Sequence, residues 1–273
     1  MRGPAPGRPA PPPFSPPPPP PPPNLKKRES AGTESERKPR PQLSIPLSPD
    51  PSGNGAGRRA AADPWLEDPG TLWLLHWRLT SRPAPASTWH LVFTRFAESV
   101  FTRDELADWL LRCAHDSGSR RTSPASIRRD LDVFIRTYLP ARTHARRPLE
   151  DSFDCPLVEL GLLRPAGAGR FELRRGARPS LPVPILLFAT LEFWRREAAD
   201  QRTLPLERLL FDPGSPGAAF RLGARDLIGM VEDLPGRWGV RYDETAGMRL
   251  LLRERECDPF EVLRDYYRGA SAA

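Results

Sequence analysis

The chain has 273 residues, 41 of them Lys or Arg against 34 Asp or Glu, and 36 are proline. That length suffices for one or two ordinary domains. The net charge does not by itself point to nucleic acid. The first 61 residues hold ten Lys and Arg against four acids, while the remainder balances 31 arginines with 30 acids, so only a local pattern inside the body can argue for DNA.

Nineteen prolines fall before Ala61, with an unbroken run from Pro16 to Pro23. Such a tract lacks amide donors, is confined to polyproline II and cannot build a core. Residues 1–61 are therefore expected to be a disordered Pro-rich tail. Two other readings stand open: a ligand for a proline-recognising domain, or a start codon placed too early in a GC-rich gene. The core must come from 62–273, which is long enough to supply one.

In the body, Leu72, Trp73, Leu75, His76 and Leu79 form an apolar stripe that predicts a helix over 70–80. A second helix is predicted over 87–98, carrying Trp89, Phe93 and Phe96. Thr102 with Glu105 reads as a capping box, followed by Leu106, Trp109, Leu110 and Cys113 at helical spacing. Ser123-Pro124 starts another helix, with Ser at the N-cap and Pro at the first helical position. Its inward stripe is Ile127, Leu131, Phe134, Ile135 and Tyr138, which leaves Arg129 and Arg136 pointing outward. A short helix near 154–160 with Asp154 at its N-cap follows, then a hairpin from 162–164 and 170–174.

Residues 182–196 are apolar nearly all round and read as a buried helix. Helices over 204–210 and 225–234, a hairpin from 238–242 and 248–253, and a last helix capped by Asp258 complete the chain. The fold class expected is mostly α (α+β), two tandem winged-helix-like units with small β-hairpins behind the Pro-rich tail. The first unit would occupy 62–180 and the second 181–273.

The case for DNA rests on 117–147, where eight arginines stand against Asp130 and Asp132. A helix that presents Arg129 and Arg136 suits the major groove, where Arg grips guanine through two donors. The expected DNA-contacting set is Ser126, Arg128, Arg129 and Arg136, with Arg170, Arg174 and Arg175 from the hairpin on backbone or minor groove. A solvated charged face is the competing reading. The second unit's third helix turns Gly229, Glu232 and Asp233 outward, which would repel phosphate, so it is read as a packing or partner surface.

Enzyme signatures are scarce. The body has neither lysine nor asparagine, which removes a P-loop, the lysine of the common restriction-nuclease core and the asparagine of His-Asn-His sites. Carboxylates cluster at Glu67/Asp68, Glu150/Asp151/Asp154, Asp212 and Asp243/Glu244; a Mg²⁺-dependent nuclease needs two or three of them to converge. Each cluster on its own is also ordinary cap or turn chemistry. Cys113, Cys155 and Cys257 complete neither a CxxC nor a zinc spacing and read as reduced thiols of a cytoplasmic protein. The apolar run 181–189 contains prolines and falls short of the roughly 18 residues of a membrane span. No signal segment is expected.

Leu66-Glu67-Asp68-Pro69-Gly70-Thr71-Leu72-Trp73, the run 149–157 from Leu-Glu-Asp-Ser through Cys155-Pro156-Leu157, Phe211-Asp212-Pro213-Gly214-Ser215-Pro216-Gly217 and Asp243-Glu244-Thr245-Ala246-Gly247 together resemble a bacterial family known as domain of unknown function 4007. The resemblance covers about 63–267. It implies a component of a DNA-phosphorothioation and phage-defence system, similar to the Ssp-type B component associated with DNA nicking. Expected partners are DNA and other proteins of that operon. No cofactor is expected, except Mg²⁺ if the protein nicks DNA. Family members carry a further ordered region before the Glu-Asp-Pro motif, where this chain has its Pro-rich head. No catalytic residue is carried over.

Overall fold

Four polar side chains start the helices around which the fold is built. Asp68 accepts from the Thr71 amide, Thr102 and Glu105 close a reciprocal capping box, and Ser123 closes another with Ser126. Ser215, fully buried, accepts from the Ala218 amide. Each satisfies amides that the first helical turn leaves without a partner. The computed structural model describes residues 63, 65–83, 87–118, 122–140, 154–245 and 247–270. The expectation of a disordered tail over 1–61 lies outside the described residues, as do Arg120, Arg121, Arg142, Arg146 and Arg147 of the arginine-rich stretch.

The chain runs α1 (Pro69–Thr80), α2 (Ser87–Thr94), β1 (Val100–Thr102), α3 (Arg103–Asp116), α4 (Pro124–Tyr138), a 3-10 turn (Pro156–Leu160), β2 (Arg164–Pro165) and β3 (Arg170–Glu172). It continues through α5 (Val183–Glu197), β4 (Thr203–Pro205), α6 (Leu206–Phe211), α7 (Pro216–Ala219) and α8 (Ala224–Glu232). A second 3-10 turn (Gly236–Trp238), β5 (Val240–Thr245), β6 (Met248–Arg253) and α9 (Pro259–Ala270) follow. The fold is mostly helical with two small antiparallel sheets, an α+β arrangement. The sheets share one layout: β1-β3-β2 and β4-β6-β5, each with the second hairpin strand in the middle.

The strands β1 and β4 are absent from the sequence reading. Each is three residues long, too short for alternation to register, and β4 overlaps the predicted start of the 204–210 helix. That helix instead begins at Leu206, after Pro205 has closed an edge strand, where a proline lacking a donor is tolerated. The helix predicted over 87–98 stops at Thr94. There the amides of Arg95 and Phe96 both turn back to the Leu91 carbonyl, and the Phe96 ring goes inward against Phe101 and Trp109. Cys155, not Asp154, holds the N-cap position of the first 3-10 turn, without a side-chain cap bond. The first hairpin is shorter than predicted because Leu162, Leu163 and Leu173 turn into the core.

The core is rich in aromatics: Trp73, Trp77, Phe93, Phe134, Phe188, Phe193, Trp194 and Phe220 are all fully buried. The polar atoms they bring inside find partners, as burial demands. Trp73 Nε1 donates to Ser180 Oγ, and Glu192 of α5 accepts from both Trp77 Nε1 and the Arg78 guanidinium of α1. At the other end of α1, the Asp68 carboxylate accepts from the Tyr266 hydroxyl at 2.8 and 3.0 Å, seating α9. Gly70 lets this happen, since a Cβ there would stand 2.5 Å from that hydroxyl.

Trp73 and Trp109, both expected inside, differ: Trp73 has no exposed surface, whereas Trp109 is half-buried at the edge of the Phe96 ring. Trp73→Ala should therefore cost roughly 3–5 kcal/mol in urea unfolding. Trp109→Ala should cost clearly less, and equal losses would contradict this placement.

Candidate nucleic-acid interface

The helix α4 has two faces of opposite character. Ile127, Leu131, Phe134, Ile135 and Tyr138 are buried, as the stripe predicts. Arg128, Arg129 and Arg136 are exposed. Among the described residues none of the three has an ion pair. Arg136 bends back to the Asp132 carbonyl through Nε, at 3.1 Å. The carboxylate of Asp132 is taken by Arg103 at the start of α3, which removes one of the helix's two negative charges from the competition for these arginines. Ser126 lies at the helix start, half-buried. Its Oγ accepts from the Ser123 amide at 3.0 Å and donates to the Ser123 carbonyl at 2.7 Å, so the hydroxyl is committed to the capping box.

The inner end of α4 is fixed by a buried imidazole. Nε2 of His76 lies 2.8 Å from the Ala219 carbonyl, and Nδ1 lies 2.8 Å from the Tyr138 hydroxyl. A carbonyl only accepts, so Nε2 carries the proton and Tyr138 donates to Nδ1. Burial holds this imidazole down at about 4, against the ordinary 6.5, and only the Ala219 bond works the other way among hydrogen bonds. Trp73, Phe93 and Tyr138 meet the ring edge-on. Three segments far apart in sequence, α1, α4 and α7, thus meet on one neutral ring.

The first hairpin divides its arginines between two duties. Arg170 is exposed opposite Thr102 of β1, and Arg174 is exposed and pairs through two nitrogens with Glu172, at 2.9 and 2.8 Å. Arg175 is half-buried. Its Nη1 donates to the carbonyls of Leu210, Gly217 and Leu222, and its guanidinium lies over the Phe211 ring at 5.6 Å. Arg178 likewise donates to the carbonyls of Phe220 and Arg174.

Sequence reasoning passed over Arg221. It is 3% exposed, has φ +54°, and donates to the carbonyls of Phe96 and Leu173. Burial, with Arg175 and Arg178 nearby, pulls it down to about 10. Nothing in the run Phe220-Arg221-Leu222 marks that arginine as internal.

Carboxylates raised as metal ligands by the sequence have other employment. Asp68 caps α1 and takes Tyr266; Asp212 pairs with Arg208 at 2.8 Å; Glu244 accepts from Tyr242 and Arg249. Gly214, in the Asp-Pro-Gly-Ser-Pro-Gly motif, has φ +77° and would place a Cβ 2.6 Å from the Ser81 carbonyl. These motifs therefore read as close-packing devices. Glu150 and Asp151 lie outside the described residues. Among the described residues no three His, Cys, Asp or Glu side chains gather into a group that could hold a metal ion. No helix among them is long and apolar enough to cross a membrane.

The chain is thus an α+β protein with an arginine-bearing helix, α4, and a hairpin, β2–β3, that exposes further arginines. A model of the family described as "Protein of unknown function (DUF4007)" matches residues 48–267, and the chain belongs to that family. Two solved structures are similar to it: SspB with a bound magnesium ion and SspB alone, with TM-scores of 0.67 and 0.66 and 34% sequence identity to each. Both likenesses cover 76% of this chain and 62% of the SspB chain, so the chain spans less than two thirds of SspB's length. No curated protein matches the chain.

The His76 network makes a pH prediction. Unfolded, the imidazole takes a proton near 6.5; folded, only near 4. In that window the unfolded state binds more protons, so stability is full above 6.5 and falls as pH drops toward 4. Half-buried His90, also lowered by burial, adds in the same direction. Urea midpoints at pH 7 and 4.5 should differ accordingly, and His76→Gln should narrow the gap while lowering the pH 7 value. Tyr138→Phe, which leaves Nδ1 without its donor, should cost roughly 1–3 kcal/mol at pH 7.

Proposed function

We propose that the chain is a DNA-binding component of a bacterial DNA-phosphorothioation and phage-defence system, acting in the cytoplasm with other proteins of its operon. Family membership and the likeness to SspB support the system. One observation carries the DNA contact: the outer face of α4 bears Arg128, Arg129 and Arg136, exposed and without ion pairs among the described residues.

In this reading 62–180 and 181–273 are tandem winged-helix-like units. In the first, α2, β1, α3, α4 and the β2–β3 hairpin follow the winged-helix order, and β1 completes the small sheet. The helix α4 enters the major groove and the hairpin serves as the wing. Arg128, Arg129 and Arg136 reach bases or phosphates; Arg170 and Arg174 reach the backbone. Ser126 supports by holding the helix start, and Arg175 supports by holding the root of the hairpin.

The second unit has α5, β4, α6, α8 and the β5–β6 hairpin in the same order, with the four-residue α7 inserted between α6 and α8. Its α8 exposes Glu232 and Asp233, so it faces a protein partner rather than phosphate. Exposed Phe211 and Met248 in the same unit favour that role. Nicking would require carboxylates gathered around Mg²⁺, and no cleavage residue is assigned.

The test is duplex binding by the double variant Arg129→Ala, Arg136→Ala at two salt concentrations. Neither side chain belongs to the core, so the thermal midpoint should hold. A base contact should cost roughly 1–3 kcal/mol and relax sequence preference; a phosphate contact should lower the salt slope by about one per arginine. Replacing Glu232 and Asp233 should not weaken binding. Unchanged affinity and slope in the double variant would contradict the proposal and favour a scaffold that binds only proteins.

A further inference from the structure

At the root of the β2–β3 hairpin, Arg164, Arg174, Arg175 and Arg178 line a cavity of about 180 Å³ whose wall contains one carboxylate, Glu172. That carboxylate is already paired with Arg174. Arg164 is exposed and has no hydrogen bond or ion pair among the described residues. Arg175 and Arg178 are held by main-chain carbonyls. A carbonyl satisfies an N–H but brings no negative charge, so these bonds do not offset the guanidinium charge, and Asp226 offsets it only in part, at Arg178.

Behind them lies Arg221, 3% exposed, bonded to two further carbonyls and with its Nε unpartnered. Burial first, then repulsion from neighbouring arginines, holds Arg178 (beside Arg164) and Arg221 (beside Arg175 and Arg178) below the usual arginine range, with Asp226 a partial counterweight at Arg178. Such an arrangement keeps its donors in fixed positions, where an anion would accept from them.

We propose that this cavity binds one phosphate group. Its volume equals about six waters at roughly 30 Å³ each, room for one tetrahedral oxyanion. Arg164 closes over the anion from the solvent side, and Arg175 and Arg178 meet it from fixed positions. The phosphate belongs either to a nucleic-acid backbone or to a free phosphorylated molecule. The site does not depend on the role given to α4, because inorganic phosphate alone tests it.

The probe is inorganic phosphate added to the full chain at constant ionic strength, read by thermal midpoint and by phosphorus NMR line width. The wild-type midpoint should rise with the logarithm of phosphate concentration once that exceeds the Kd, as binding to the folded state requires, while the phosphorus line width should report saturation of the site. In Arg164→Ala, which removes no intramolecular bond, phosphate affinity should fall about tenfold, the loss expected of one charge-assisted hydrogen bond. An equal rise in both proteins is the general effect of an excluded salt and would overturn the proposal, as would no response in either.

A second arm adds duplex DNA. If DNA displaces phosphate, and Arg164→Ala lowers the salt slope by about one, the bound group is a backbone phosphate. If phosphate stays bound beside DNA, the ligand is a free phosphorylated molecule; both results uphold the pocket. The Arg129→Ala, Arg136→Ala variant should leave the phosphate titration unchanged. Loss of the α4 contact and loss of the pocket are thereby told apart.

Discussion

The proton on Nε2 of His76, donated to the Ala219 carbonyl, leaves Nδ1 to accept from Tyr138. Through that ring the last turn of α4 is tied to α1 and to α7. The consequence reaches the surface. A helix's outer face is whatever its inner face leaves over, so fixing Tyr138 fixes the rotation of α4 and with it the direction of Arg129 and Arg136. The ring does this as a neutral group in an aromatic box, where a second proton would meet almost no compensation. Positioning by an internal hydrogen bond asks no ion pair of Arg128, Arg129 or Arg136 among the described residues.

The two sheets repeat one order of strands, yet the helices that face outward beside them carry opposite charge. The outer face of α4 carries Arg128, Arg129 and Arg136 with Asp130; α8 carries exposed Arg225 at its start and Glu232 at its end, with Asp233 just beyond. A shared layout thus serves two surfaces with different electrostatic preferences, which is why the functional reading rests on side chains and not on topology. The segment that follows the first hairpin is neither a free linker nor a plain surface. Arg175, Arg178 and Arg221 reach from it and toward it to carbonyls on both sides, so the root of the hairpin and the stretch from α6 to α8 are joined by main-chain oxygens and guanidinium groups.

What the sequence made legible is local. The caps at Thr102 and Ser123 and the 3.6-residue stripe of α4 depend on neighbours a few positions away, and they stand as read. The β1 and β4 strands depend on hairpins 70 and roughly 50 residues downstream, and three residues carry no period of their own. Arginine was the hardest residue to place. Arg129, Arg175 and Arg221 look alike in the chain; only the fold makes the first exposed, the second half-buried and the third internal. Trp109 shows the same limit for aromatics, since helical phase predicts a direction but not how much protein lies there. The family motifs were recognisable as strings, while their meaning came from contact: Gly70 makes room for Tyr266, and Gly214 for the backbone at Ser81.

The central claim is that α4 and the first hairpin form a DNA-facing surface held from within by His76. Amide hydrogen exchange of the full chain with and without duplex DNA measures it directly, because it reports where binding suppresses local opening. The account predicts added protection over 124–138 and 164–174, with none over 224–232. Protection confined to α8, or no change anywhere at a DNA concentration that saturates binding, would contradict it.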